Sequence, residues 1–218
     1  MHGAKSTSTL VSTSRCHLLV LCSGLLNGVA RMRITLALLY ITGAVLVECG
    51  YITPGNGRSW GTWDSTVRFC PPNSYASAFT IKVEDHIDGD DTAMNGIQLY
   101  CRSTRNDREV GVRSSAVGNW GVWQGKRECN KGFFKAIRMR IENAQGRGDD
   151  TAANNLEMQC QNGEIYNGGG TGWGSWSDWR YCPSGEVICG LQTRVEAAQG
   201  DGDDTALNDA IFACCRPS

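Results

Sequence analysis

The sequence predicts an all-β protein, a prism of three antiparallel sheets with pseudo-threefold symmetry. Three observations lead to it: the pentapeptide Gly-Asp-Asp-Thr-Ala occurs three times, apolar and polar residues alternate around each copy, and no stretch after residue 50 has a helical period. The copies begin at Gly89, Gly148 and Gly202, which are 59 and 54 residues apart. A unit of that length is a cluster of strands that buries its apolar face against its copies. A three-bladed propeller-like or trefoil arrangement is the alternative.

Other residues keep the same register in every copy. Each repeat opens with Trp-Gly-x-Trp, starting at Trp60, Trp120 and Trp173. A glutamate before the pentapeptide and an asparagine after it also recur, as Glu84, Glu142, Glu196, Asn95, Asn154 and Asn208. We therefore predict one domain over residues 50–218, with repeats at about 51–110, 111–166 and 167–218.

Two strands flank each pentapeptide. In the first copy Phe79, Ile81 and Val83 alternate with polar residues before it, and Ile97 and Leu99 do so after it. The other copies show the same alternation, which predicts half-buried antiparallel strands with one apolar face. The 27 glycines, with frequent Asn, Asp and Ser, predict tight turns between short strands.

The chain has 11 cysteines, and the spacing of eight of them predicts disulfides. The predicted pairs are Cys70–Cys101, Cys129–Cys160, Cys182–Cys214 and Cys189–Cys215. The adjacent pair Cys214 and Cys215 leaves an exchange of partners open, and Cys49 has no partner in the repeat. Zinc is disfavoured, because the chain has no Cys-x-x-Cys and its only histidine after residue 17 is His86.

The N-terminal region reads as a targeting segment. Arg31 and Arg33 precede the apolar run 34–47, which ends in small residues and is shorter than the ~20 residues that span a bilayer. We predict a signal peptide at 32–49, an upstream extension at 1–31, and a secreted mature protein without membrane attachment. From Val45 onward 17 basic residues face 22 acidic ones, a balance that disfavours nucleic acid and is compatible with a basic protein partner.

The recurrent residues also suggest ligand-binding candidates. Paired tryptophans either stack on a sugar or fill space between sheets, and their recurrence favours packing. The candidate carboxylates are Glu84, Glu142, Glu196, Asp90, Asp149 and Asp203. Paired carboxylates are the minimum for glycoside chemistry, but exposed ion pairs explain the glutamates more simply, so we assign no catalytic residue. Arg147 replaces the first aspartate of a calcium-like cluster in the second copy, so we predict no metal and no cofactor.

From about Tyr51 to its end, the chain resembles the vitelline membrane outer layer protein I family. The three Trp-Gly-x-Trp elements, the three pentapeptides and the paired cysteines carry this resemblance, above all residues 194–196 and 203–209 with Cys214 and Cys215. The resemblance implies a β-prism of three Greek-key sheets, four disulfides and an extracellular location.

The same resemblance implies a function. It suggests a structural, non-enzymatic component of an egg coat or a similar secretion, with coat glycoproteins, lysozyme or mucin-type proteins as partners. The family is also linked to lectin folds and to chitooligosaccharide transfer. The alternative is therefore a lectin-like binder, or a weak glycosyl-transfer enzyme, acting on N-acetylglucosamine oligomers.

Overall fold

The computed structural model describes residues 50–84, 93–143, 152–197 and 206–218. The predicted signal peptide and upstream extension lie outside these residues, as do the pentapeptides except for their alanines, Ala93, Ala152 and Ala206. The described part of the chain contains no helix, and hence no helix long and apolar enough to cross a membrane.

The described residues form fifteen β-strands, most of them in antiparallel hairpins. Their bounds are β1 (Gly50–Ile52), β2 (Thr62–Trp63), β3 (Arg68–Phe69), β4 (Ser74–Val83), β5 (Met94–Ser103), β6 (Glu109–Ser114), β7 (Val122–Trp123), β8 (Arg127–Glu128), β9 (Phe134–Ile141), β10 (Ala153–Cys160), β11 (Ile165–Asn167), β12 (Ser175–Trp176), β13 (Arg180–Tyr181), β14 (Val187–Val195) and β15 (Leu207–Cys215).

The strands form three five-stranded antiparallel sheets of one design. Sheet 1 has the order β6-β5-β4, with β7 and β8 on the far side of β4; sheet 2 repeats this as β11-β10-β9 with β12 and β13. Sheet 3 follows the same plan as β1-β15-β14 with β2 and β3. In each sheet the strand of the Trp-Gly-x-Trp element, which is β7, β12 or β2, lies beside the first strand of the hairpin. This is Greek-key order. The predicted β-prism of three Greek-key sheets is thereby confirmed.

Sheet 3 combines the two ends of the described chain. Its hairpin, β14 and β15, comes last in the chain, whereas β1, β2 and β3 come first. The Trp-Gly-x-Trp element that opens each repeat accordingly pairs with the hairpin of the preceding repeat, and the first element closes the circle on the last hairpin.

The inner faces of the sheets meet in one core of equivalent side chains. Phe79, Ile137 and Leu191 occupy the same place in the three sheets and are fully buried. The Phe79 ring packs edge-on against Phe134 at 5.4 Å between centroids. Thr193 is the polar exception on this face, and its Oγ1 donates to the carbonyl of Ala116 at 2.7 Å. That bond removes the cost of burying a hydroxyl.

The chain is disulfide-bonded, as its cysteine spacing predicts. The disulfides are Cys70–Cys101, Cys129–Cys160, Cys182–Cys214 and Cys189–Cys215. The first cysteine of each of the first three pairs continues a short edge strand, β3, β8 or β13, and the second lies on the hairpin of the next sheet. These three disulfides therefore join sheet 3 to sheet 1, sheet 1 to sheet 2, and sheet 2 to sheet 3, as a closed girdle.

The recurrent asparagines lie in β-bulges, at the end of each hairpin opposite the girdle cysteines, and we call this end of the prism the bulge end. The pairing of β4 with β5 skips Asn95, which is fully buried. The Asn95 carbonyl accepts the N–H of Gly118 at 2.6 Å, and its Nδ2 donates to the carbonyl of Ala93 at 3.4 Å. Asn154 and Asn208 are skipped in the same way and make the same two kinds of bond. A bulge that needs both backbone and amide partners explains why asparagine recurs.

Candidate functional site

The three recurrent glutamates occupy equivalent positions at the bulge end of the prism. Glu84, Glu142 and Glu196 directly follow β4, β9 and β14, and each is half-buried. Their backbone N–H groups donate to the alanine that ends each pentapeptide, at 2.8, 2.7 and 2.7 Å. The structure thus puts one glutamate on each sheet.

The candidate aspartates Asp90, Asp149 and Asp203 lie outside the described residues. Their pairing with the glutamates stays a prediction. No cluster of three or more metal-ligating side chains occurs among the residues whose positions are described.

A cleft of about 250 Å³ opens at the seam between sheets 3 and 1. Sheet 3 contributes Trp63, Asp64 and Glu196 to its walls, and sheet 1 contributes residues 116–120, among them Trp120. Trp120 is 47% exposed. The cleft thus combines indole rings, carboxylates and backbone amides, a mixture suited to a polar or cationic ligand with a flat face.

Hydrogen bonds across the seam hold the walls of the cleft. The carboxylate of Asp64 accepts from Arg68 at 2.9 and 3.0 Å and from Ser115 Oγ at 3.1 Å. Ser115 Oγ also accepts the N–H of Thr193 in sheet 3 at 2.9 Å. Burial raises the pKa of Asp64, but the bonds from Arg68 and Ser115 and the charge of Arg68 outweigh it, so the pKa lies below its usual value.

We expect Asp64→Asn to destabilise the protein by about 1 kcal/mol near neutral pH, because it removes an ion pair whose arginine side is half exposed. The folded-state pKa of Asp64 is lowered, so its contribution is complete above the unfolded value of about 3.9 and is lost as pH falls through the folded-state pKa. Urea unfolding of variant and wild type should show the difference narrowing in acid. Asp178→Asn, at a site away from this seam, is the control; a difference that does not change with pH would contradict the assignment.

The side chain at one repeated position distinguishes the open cleft from the equivalent seam of sheets 2 and 3, which is filled. Two residues before the first tryptophan of each Trp-Gly-x-Trp stand Arg58, Gly118 and Thr171, whose N–H groups bond the three bulge carbonyls. At the seam of sheets 2 and 3, Arg58 reaches across and donates from Nε and Nη2 to the carbonyl of Glu142, at 2.9 Å each. Its Nη2 also contacts Asn143 Oδ1. At the cleft the equivalent residue is Gly118, which has no side chain, and the space stays open.

A second surface of interest is the outer face of sheet 2. The guanidinium of Arg138 lies 4.9 Å from the ring centroid of Trp176 and 5.0 Å from that of Trp179. Its Nε and Nη2 also pair with Glu157 Oε2 at 2.7 and 2.6 Å. The cation orients both rings.

The aromatic surface continues to the seam with sheet 3. Trp179 lies 6.4 Å from Tyr181 between centroids. Both residues line a shallow depression of about 420 Å³ together with Tyr51, whose pKa is raised by burial. Tyr181 is 53% exposed and Tyr51 is 39% exposed, so rings are accessible here. We name Trp176, Trp179, Tyr181 and Tyr51 the aromatic surface. Sequence reasoning missed it, because apart from Trp176 these rings are not part of the repeat pattern.

The first tryptophans of the repeated element lie at the surface rather than inside. Trp60, Trp120 and Trp173 are 37, 47 and 36% exposed. The expectation that recurrence means interior packing is therefore incomplete. What the repeat conserves in space is the glycine between the rings, since Gly61, Gly121 and Gly174 all have positive φ and lie against the backbone of the strand that they cap.

Comparison with known proteins gives a consistent family. Residues 51–217 match the family model described as vitelline membrane outer layer protein I. A Homo sapiens relative named vitelline membrane outer layer protein 1 homolog is 43% identical over 165 residues, 74% of this chain and 80% of the relative. The Mus musculus protein of the same name is 40% identical over 164 residues, 73% of this chain and 80% of the relative.

The solved structures that match this chain include an agglutinin and a jacalin-related lectin. Calystegia sepium agglutinin matches at a TM-score of 0.49 and 15% identity, over 80% of this chain and 100% of that one. A mannose-specific jacalin-related lectin from Morus nigra, in complex with mannose, matches at a TM-score of 0.49 and 13% identity, over 80% of this chain and 97% of that one.

Proposed function

Because this chain belongs to the vitelline membrane outer layer protein I family, we propose that it is a secreted structural component of an extracellular egg coat or a similar secretion. The observation that carries the proposal is the girdle of disulfides that joins the three sheets in a circle. Disulfides of this kind persist in oxidising, extracellular compartments. A prism held closed by covalent bonds suits a protein that has to keep its shape outside the cell.

Its task in the coat would be to bind coat glycoproteins, among them mucin-type proteins or lysozyme. Trp60, Trp120 and Trp173 support this, since each exposes more than a third of its surface at one end of the prism. Exposed, rigid indole rings provide contact area at low entropic cost. Three such rings on three sheets would allow one molecule to hold several partners.

The proposal is tested on the protein secreted from cells. Non-reducing peptide mapping of the medium should recover a chain without its leader and with oxidised cysteines, and immobilised protein should retain coat glycoproteins from an egg-coat extract. The matched control is the same protein after reduction and alkylation, which should retain at least about tenfold less. Retention of the chain inside the cell, or equal recovery with wild type and reduced protein, would refute the proposal.

The second candidate function is binding of carbohydrate, with N-acetylglucosamine oligomers as ligand, or weak glycosyl transfer on them. The aromatic surface favours it, because the exposed rings of Tyr181 and Tyr51 flank a shallow depression with Trp179. An aromatic face stacks on the apolar side of a sugar ring, and polar groups such as Arg180 beside it supply hydrogen bonds.

A glycan array with chitin oligomers tests this candidate. We expect Tyr181→Ala to weaken binding by about tenfold, in line with the loss of one stacking contact. Val110→Ala is the control, because Val110 is also an exposed apolar residue but lies on β6 of sheet 1. A flat array excludes the lectin function. Unchanged turnover of the oligomers after Glu84→Gln, Glu142→Gln or Glu196→Gln excludes carboxylate catalysis by these residues.

A further inference from the structure

The structure contains an internal template for what fills a seam at the bulge end. We call residues 58–63, 118–123 and 171–176 the cap segments of sheets 3, 1 and 2, because their Trp-Gly-x-Trp strands pair with those sheets. At the seam of sheets 2 and 3, the Arg58 side chain of the cap segment of sheet 3 reaches the end of sheet 2. Two N–H groups of the guanidinium converge on one acceptor, the carbonyl of Glu142, and Asn143 supplies a further oxygen. The equivalent seam of sheets 3 and 1 places Gly118 opposite Glu196, the counterpart of Glu142.

We propose that the cleft at the seam of sheets 3 and 1 binds an arginine side chain of a basic partner protein, which takes the place that Arg58 fills at the other seam. Glu196 presents the same backbone as Glu142, since both N–H groups bond the pentapeptide alanine at 2.7 Å. The proposal rests on the proposed function only in that the partner is a protein of the coat.

The walls of the cleft differ from the template in ways that favour a cation supplied from outside. Asp64, which Arg68 and Ser115 hold in place, stands where the filled seam has Ser177 and adds a carboxylate, while Ala197 replaces Asn143. Trp63 and Trp120 provide indole faces, on which a guanidinium stacks better than an ammonium. The acidic balance of the chain from Val45 onward, 17 basic against 22 acidic residues, attracts a basic partner over a longer distance.

Gly118 is what keeps the cleft open. A Cβ at this position would lie 2.4 Å from Asn95 Oδ1, which is closer than a normal contact, and 3.3 Å from the Cβ of Ala206, so a side chain here requires the Asn95 amide to shift. Arg58 and Thr171 show that the same backbone position accepts a side chain in the other two sheets. Gly118→Arg therefore recreates the filled seam and should exclude an incoming arginine.

The experiment titrates the purified wild-type protein with acetyl-Gly-Arg-Gly-amide and with the same peptide carrying citrulline, an uncharged analogue of arginine. Backbone and indole NMR shifts report binding. We expect saturable shifts at Gly118, Glu196 and Trp120 for the arginine peptide, weakened by salt. The citrulline peptide should bind at least about tenfold more weakly. Gly118→Arg should weaken binding of the arginine peptide by a similar factor.

Gly172→Arg is the matched control. It adds the same charge to the cap segment of sheet 2, at a glycine where an added Cβ would meet no atom within 4 Å, and it should bind like wild type. Equal binding of the two peptides, or wild-type binding by folded Gly118→Arg, would overturn the proposal. Should Gly118→Arg not fold, Trp120→Ala decides: this exposed ring should be needed, and unchanged binding without it also overturns the proposal. The titration contains no coat component. A negative titration therefore does not count against retention of coat glycoproteins, and failed retention does not count against binding of the arginine peptide.

Discussion

Replacing Gly121 with alanine is expected to destabilise the protein by about 3 kcal/mol or more, a large effect for a single methyl group. Gly121 has a φ of 78°, and an added Cβ would lie 2.3 Å from the carbonyl carbon and oxygen of Val83. A left-handed conformation costs a non-glycine residue about 1–2 kcal/mol, and overlap with a strand backbone adds about 1–3 kcal/mol. For a domain of this size, the melting temperature should fall by roughly 6–12 °C.

Gly172→Ala is the matched control for that loss. Gly172 is also next to a tryptophan in a cap segment, but its φ is not left-handed and the space around it is open. We expect a change within about 0.5 kcal/mol, because a surface substitution away from special backbone geometry is usually that small. Thermal unfolding of the two variants side by side checks the pair. Similar melting temperatures for both would show that the glycine does not hold the cap in place.

Removing the disulfide between sheets 1 and 2 is the second large effect. We expect the double variant Cys129→Ala/Cys160→Ala to lose about 3–4 kcal/mol, since a loop closed over 31 residues no longer restricts the unfolded chain. Both sulfurs are buried in the core, so the alanines also leave lost contacts behind. The melting temperature should fall by roughly 7–14 °C.

The comparison for this variant is Cys189→Ala/Cys215→Ala. That disulfide closes 26 residues but joins β14 to β15, which are already paired in one hairpin. The chain-entropy argument gives both variants a similar loss, whereas a role in holding separate sheets together makes the first loss larger. Equilibrium unfolding in urea distinguishes these cases. A melting temperature of the first variant that stays within roughly 2 °C of wild type would rule out the girdle as a source of stability.

Much of the fold could be predicted, because the three repeats place apolar core residues at equivalent positions. Phe79, Ile137 and Leu191 lie at the same distance before their glutamates, and alternation around them indicates which face is inside. Which copy a Trp-Gly-x-Trp element joins could not be predicted. Similar copies present similar partners, so the sequence does not distinguish pairing within a repeat from pairing with the preceding one. In the structure Gly121 lies against Val83, which belongs to the preceding repeat.

The candidate sites were harder to predict, because repetition draws attention to residues that recur. Recurrence does locate Glu84, Glu142 and Glu196 at equivalent places. The cleft, however, depends on a difference between copies, the change from Arg58 to Gly118 at a position that no motif marks. The signal in the sequence is the missing side chain at Gly118, where the equivalent residues of the other repeats are Arg58 and Thr171.

Sheet 3 combines strands from the two ends of the described chain, and this determines when the prism can be completed during synthesis. Residues 50–69 leave the ribosome before the strands of sheets 1 and 2, and the hairpin that they join, residues 187–215, leaves it after those strands. Until that hairpin is present, sheets 1 and 2 each lack one of their two neighbouring sheets, and their apolar faces stay partly exposed to water. Nascent chains are therefore at risk of aggregation until residues 187–215 have been synthesised. Closure of the prism core therefore requires β14 and β15, and a chain that stops before residue 187 would expose apolar strand faces and aggregate rather than form a smaller prism.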